Sequence, residues 1–283
     1  MKQRILVAVV GVPLLLLVLV WAPDWATMAL VMLLSVIGAH ELMHALCGAE
    51  KARRWWGLAS TMSVFAVISV AWSDEKYRVW GLALTGKLLL AAFIVLAFVC
   101  MMVEYGKDNA LSFTDMSAVF AAGLAVPLAL SCLLRLRMMP YGGGMVLIPL
   151  VAAFCSDSAA LFTGMACGKH KLAPLVSPKK TVEGAIGGLV GGMVGMVIFR
   201  IVFFFCTVHS LNILWCMLLG LVGAAMGQLG DLSFSAIKRQ CGIKDYGSIF
   251  PGHGGILDRF DSVMFIAPFV TIVVRWVFYA YQA

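Results

Sequence analysis

Charge is scarce in this chain. Of its 283 residues only 12% are Asp, Glu, Lys or Arg, against 62% hydrophobic. With a mean hydropathy of +0.98, that scarcity excludes an ordinary water-soluble domain. The eight cysteines include no CxxC pair. Cys47, Cys100, Cys132, Cys155, Cys206 and Cys216 sit inside apolar runs, which indicates small buried hydrophobes and not a disulfide framework or a zinc ribbon. Cys167 and Cys241 lie in polar segments. A basic soluble module interleaved with aromatics is lacking, so nucleic acid is not an expected partner. The short alternating strands of an outer-membrane barrel are lacking too. Neither an internal repeat nor a low-complexity linker breaks the chain, and one integral domain is the default.

What is present is a succession of apolar runs, many long enough to cross a hydrocarbon core of about 30 Å. They predict an all-α, polytopic integral membrane bundle of about nine transmembrane helices. The spans are placed near 5–22, 26–47, 56–72, 79–103, 116–134, 142–166, 184–208, 211–230 and 262–281. The first follows Lys2 and Arg4 and is read as a retained helix, since a second span comes at once and no small-residue cleavage site is obvious. The net charge of +7 fits basic loops on the cytoplasmic side at Met1–Arg4, Lys51–Arg54, Lys169–Lys180 and Lys238–Arg259. Arg135 and Arg137 fall on the wrong side of that topology. Attraction to anionic lipid or nucleotide is a second use of the same charge.

Residues 227–262 depart from the apolar background. They read GQLGDLSFSAIKRQCGIKDYGSIFPGHGGILDRFDS and hold Asp231, Asp245, Asp258 and Asp261 with Lys238, Arg239, Lys244 and Arg259. Carboxylates suit a hard cation, and bases and glycines suit phosphate. Together they point to metal-assisted phosphate chemistry at a membrane. Asp231 closes one apolar run, and Asp258 and Asp261 open the last, three residues apart on one helix face. Solvated helix-end acids are the plain alternative. Phe250–Gly255, FPGHGG, precedes that helix, where glycine N–H groups and the helix start favour an anion.

A second polar segment runs from Ser156 to Glu183. Within it Ser177, Lys179, Lys180 and Thr181 can hold phosphates, or form a positive-inside loop with Thr181 as N-cap. Asp157 lies at the end of an apolar run, a site hypothesis if it sits at membrane depth. Glycines 184, 187, 188, 191, 192 and 195 follow at G-x-x-x-G spacing, which favours close helix packing over ligand contact. His40-Glu41-Leu42-Met43-His44 is an H-E-x-x-H, so an intramembrane zinc metalloprotease, with Glu41 as general base and Asp157 as third ligand, is an alternative. It leaves the charged C-terminal stretch unexplained. A non-enzymatic transporter is another, but it predicts ionisable residues spread through the spans. Apart from His40, Glu41, His44, Lys87, Arg200 and Arg275, they cluster at helix ends and in loops.

Ser235–Asp261, S-x-I-K-R-x₄-K-D-x-G-x₂-F-P-x-H-G-G-I-x-D-R-F-D, resembles the signature of CDP-diacylglycerol synthases (phosphatidate cytidylyltransferases), with Gly230-Asp231-Leu232 upstream. Ser177–Gly184 resembles the family's second motif, and Gly168-Lys169 with Lys171–Pro174 its lead-in. The resemblance covers 155–283 well. Residues 1–150 match only in being several spans, with Glu41 at a position where the family often has an acid. Leu161, Met165 and Phe234 depart from the family pattern.

The resemblance implies an N-terminal set of helices (1–150) and a catalytic transmembrane region (151–283) with polar cytoplasmic segments near 156–183 and 231–261. It implies transfer of a cytidylyl group from CTP to phosphatidic acid, giving CDP-diacylglycerol and pyrophosphate in phospholipid biosynthesis. The place would be a bacterial plasma membrane with the site facing the cytoplasm. Magnesium is expected at Asp231 and Asp258, with Asp261, Asp245 and Asp157 as further candidates. Lys238, Arg239 and His253 join Asp231 and Asp258 in catalysis. Ser177, Lys179, Lys180, Thr181, Lys244, Gly254, Gly255 and Arg259 bind substrate. A second, potassium-like cation and a homodimer are also implied.

Overall fold

The computed structural model describes residues 2–73, 80–107, 110–209, 211–249 and 254–282. The chain is helical almost throughout. In order it forms α1 (Lys2–Val20), α2 (Asp24–Ser73), α3 (Trp80–Glu104), α4 (Phe113–Phe120), a π-helical turn (Ala121–Ala125), α5 (Val126–Met138), a short α6 (Gly142–Met145) and α7 (Leu147–Cys167). There follow strands β1 (Lys171–Ala173) and β2 (Ser177–Thr181), then α8 (Val182–Thr207), α9 (Ile213–Gln240) and α10 (Leu257–Gln282). The protein is therefore a polytopic membrane helical bundle. Six helices among the described residues are long and apolar enough to cross a bilayer. The predicted spans 26–47 and 56–72 are the two arms of α2, which a non-helical break at Gly48 (φ 76°, ψ 168°) separates.

The chain divides into two compact units. One comprises Met1–Met138 with Cys241–Arg259, the other Met139–Gln240 with Phe260–Ala283. In the first, α2 packs against α3, α4, the π-helical turn and α5. Gly123 in the π-helical turn allows a close approach to α2, since a Cβ there would lie 2.9 Å from the Met62 side chain and 3.1 Å from the Ala59 carbonyl. Ser112 and Asp115 form a capping box at the start of α4, and Asp115 also takes Lys51 at 2.5 Å. Arg137, which the positive-inside pattern could not place, pairs with Asp24 at 3.3 Å and donates to the Ala22 carbonyl at 2.7 Å. Its position thus ties the end of α5 to the start of α2, a local use of charge that loop counting cannot see.

In the second unit α7, α8 and α9 pack together, and the β1–β2 hairpin abuts α8. The glycine run serves this packing, as its spacing implies. At Gly191 a Cβ would meet the Ala159 side chain at 2.2 Å, and at Gly192 the Gly220 carbonyl at 2.6 Å. The predicted polar segment 156–183 is in fact two things. Its first half continues α7 to Cys167, and its second half is the antiparallel hairpin.

Candidate active site

In the second unit the predicted charges converge from three helices and the hairpin. Asp231 is not at the end of its helix, because α9 runs on to Gln240. The four-residue period then puts Ser235 one turn beyond it, and the Ser235 hydroxyl donates to Asp231 Oδ1 at 3.2 Å. Asp231 Oδ2 pairs with Lys180 Nζ at 2.5 Å. Asp157 lies inside α7, with both Asp231 and Lys180 in electrostatic reach. Asp261, in α10 and 8% exposed, is in electrostatic reach of Asp231, Lys238 and Asp157. Three carboxylates and two lysines therefore share one locale.

Gly230 helps create it. A Cβ at that position would lie 2.7 Å from the Asp261 carbonyl and 2.9 Å from the Phe265 ring, so only a glycine lets α9 press against α10 beside the two acids. The glycine of the Gly-Asp pair is a packing requirement for the aspartate's neighbourhood.

The hairpin separates the two lysines that the sequence treats alike. Successive residues of a strand face opposite ways. Lys179 is exposed, whereas Lys180 is half-buried and turned to Asp231. Thr181 is buried and its hydroxyl oxygen accepts from the Gly184 N–H at 3.1 Å, the N-cap role weighed from the sequence. Ser177 opens β2 opposite Ala173. Arg239 Nε donates to the Val176 carbonyl at 3.3 Å, which pins the hairpin turn to the last turn of α9. Glu183, a member of the second motif to which the sequence gives no role, receives the N–H groups of Lys169 and His170 and the His170 ring at 2.6 Å, fastening the hairpin's entry to α8.

The first unit carries the remaining predicted residues. Lys244, Asp245 and Arg259 are exposed there. Asp258 Oδ2 accepts the N–H groups of Tyr246 at 2.8 Å and Gly255 at 2.9 Å. Glu41, 3% exposed in α2, accepts those of Ile256 at 3.0 Å and Leu257 at 2.9 Å. The N–H groups of Gly255 and of the helix start at Ile256 and Leu257 thus hold two of the protein's own carboxylates. The glycines make room for them. Gly254 adopts φ +86° against Asp258, and a Cβ on Gly255 or Gly247 would fall within 2.4 Å of the Glu41 carboxylate. Phe250–His253, including the predicted catalytic His253, lie outside the described residues.

The zinc-protease alternative is corrected here. Glu41 is not poised as a zinc-site base, because its carboxylate is spent on the start of α10. His40 and His44 are exposed with ring centroids 6.4 Å apart, and His40 packs edge-on against Trp56. Among the described residues no group of three or more His, Cys, Asp or Glu side chains is drawn close enough to hold a metal by itself. Asp157, Asp231 and Asp261 are neighbours in charge but do not form a closed coordination shell. That arrangement suits a hard cation bound by one or two carboxylates and completed by substrate phosphates and water.

A family model described as "Cytidylyltransferase family" matches residues 2–277. The chain belongs to the cytidylyltransferase family. It is 32% identical over 274 residues to a phosphatidate cytidylyltransferase of Staphylococcus epidermidis, covering 96% of this chain and 98% of that one. It is 34% identical over 185 residues to the Bacillus subtilis protein of that name, 65% of this chain and 66% of the other. A Staphylococcus saprophyticus phosphatidate cytidylyltransferase is 36% identical over 188 residues, 66% and 69% of the two chains. The family match reaches well beyond the motifs of 155–283 into the N-terminal helices, and so takes in Glu41. Neither the protease nor the transporter alternative finds support in this membership.

Proposed function

We propose that this membrane cytidylyltransferase joins CTP and phosphatidic acid into CDP-diacylglycerol and pyrophosphate, at the cytoplasmic face of a bacterial plasma membrane. The observation that carries the reading is the meeting of Asp157, Asp231 and Asp261 with Lys180 and Lys238 in a chain otherwise poor in charge. Its relatives' names supply the substrates.

The chemistry asks little covalent help. A phosphate oxygen of phosphatidate forms a bond to the α-phosphorus of CTP, and the bond from that phosphorus to the bridging oxygen of the β-phosphate breaks. The nucleophile is already an anion, so no strong base has to create it. The obstacle is the approach of two anions and the charge gathering on pyrophosphate. Lys180 and Lys238 face that charge, and Asp231 holds the Lys180 ammonium in place. Arg239 positions the hairpin, and Lys179 on its exposed side meets the nucleotide first. Hard carboxylates at Asp231, Asp157 and Asp261 fit magnesium, which would supply further charge neutralisation to the phosphates. The family resemblance adds a potassium-like second cation and a homodimer. Ion dependence of turnover and the mass of the detergent-solubilised protein test those two.

The decisive experiment incubates detergent-purified protein with phosphatidate, radiolabelled CTP and magnesium. Lipid-extractable label and equimolar pyrophosphate are expected, and Asp231→Asn should lower the rate by about 10²–10³. No lipid-extractable label from CTP with phosphatidates of several chain lengths would sink the function. A near-wild-type Asp231→Asn would sink the site.

A further inference from the structure

A cavity of about 640 Å³ opens in the second unit, at the far end of its helices from the acidic cluster. Arg200, which lines it, stands 18 residues along α8 from Val182, a rise of about 27 Å. Cys216, another lining residue, precedes Asp231 on α9 by about 22 Å. Those lengths approach a hydrocarbon core of about 30 Å. The cavity therefore lies at the opposite membrane surface and takes no part in the charges already described.

Its chemistry is amphipathic. The floor is buried and apolar, built from Met145, Ile148, Met196, Leu219 and Val274 with the Cys216 thiol. The rim is wetter, with Asn212 exposed and Arg200 half-buried. Arg200 Nε donates to the Leu211 carbonyl at 2.6 Å, which fixes the guanidinium at the mouth. Among the described residues its Nη atoms meet no carboxylate. An arginine within a span is costly unless it has a partner or reaches the interface. Aromatics mark the interface at this level. Trp215 lines the cavity and packs edge-on against Trp276 at 5.9 Å, and Trp276 is 63% exposed. The volume falls in the range of about 300–1,000 Å³ common to ligand sites.

We propose that this cavity binds an anionic phospholipid of the leaflet opposite the acidic cluster. The phosphodiester sits on the Arg200 guanidinium and the upper part of one acyl chain on the Met196–Leu219 floor. Charge complementarity and the apolar floor together select an amphiphile over a free anion.

Binding of phosphatidylglycerol, which is not the proposed substrate, is measured on the detergent-purified full chain by native mass spectrometry. Phosphatidylcholine and inorganic phosphate are the comparison probes. Phosphatidylglycerol should bind at least about tenfold more tightly than phosphatidylcholine, and Arg200→Gln should remove that preference. Leu219→Trp, which fills the floor and leaves the arginine, should weaken both lipids about equally. Equal binding of the two lipids to the wild type would overturn the proposal. So would inorganic phosphate competing away phosphatidylglycerol at equal concentration, because the site would then be one for anions alone. If Arg200→Gln does not fold, having lost its bond to Leu211, the Leu219→Trp result decides, and unchanged phosphatidylglycerol binding there refutes the assignment.

Discussion

Glu41→Ala should loosen the start of α10 and slow turnover without any loss of zinc. Glu41 serves two buried N–H groups, those of Ile256 and Leu257. Leaving each unsatisfied costs about 1–3 kcal/mol, so the pair costs about 2–6 kcal/mol. Its charge at a helix N-terminus adds up to about 2 kcal/mol in a partly buried geometry. Against these stands the desolvation of a carboxylate that is 3% exposed, several kcal/mol returned when it is removed. The net is a loss of at most a few kcal/mol, concentrated in the 254–258 turn because Gly247 and Gly255 also pack on this carboxylate. Glu41→Gln keeps the shape and one acceptor but turns an amide nitrogen towards a donor, so it should fall between wild type and Ala. Hydrogen exchange read at Ile256 and Leu257, beside cytidylyl transfer by the same preparations, measures both effects. Exchange and turnover unchanged in Glu41→Ala would refute the reasoning. Stoichiometric zinc lost together with activity would restore the protease alternative.

Other substitutions test separate parts of the argument. Lys180→Ala should lower kcat by at least about tenfold, since it removes the partner of Asp231, while the exposed Lys179→Ala should change the KM for CTP by no more than a few-fold. Steady-state kinetics on the two single variants decide, and equal effects would argue against the inward and outward assignment. The His40→Ala, His44→Ala double variant should retain turnover within about twofold, because both rings are exposed. Gly220→Val should destabilise by about 1–3 kcal/mol, seen as a lowered Tm in detergent, because even a Cβ would lie 2.5 Å from the Gly192 carbonyl. An unchanged Tm would show that α8 and α9 can separate freely.

Some of this protein is determined by its residues taken in order. Scarce charge and repeated apolar runs specify membrane helices, because a backbone in lipid must satisfy its own hydrogen bonds. The fixed spacing from Ser235 to Asp261 specifies the family, and the glycine period after Thr181 specifies tight helix contact. What the helices do to one another is not written locally. Asp157, Asp231 and Asp261 are far apart along the chain, and they become neighbours through the packing of α7, α9 and α10, which Gly230 permits. Lys179 and Lys180 are adjacent and chemically alike, and only the hairpin, by alternating its faces, sends one to Asp231 and the other to solvent. Glu41 offered the sequence a metalloprotease motif, whereas the fold brings it to the N–H groups of Ile256 and Leu257. A side chain's type and spacing follow from the sequence. Which donor it meets depends on the whole chain, because burial forces every polar group to take the partner that packing delivers.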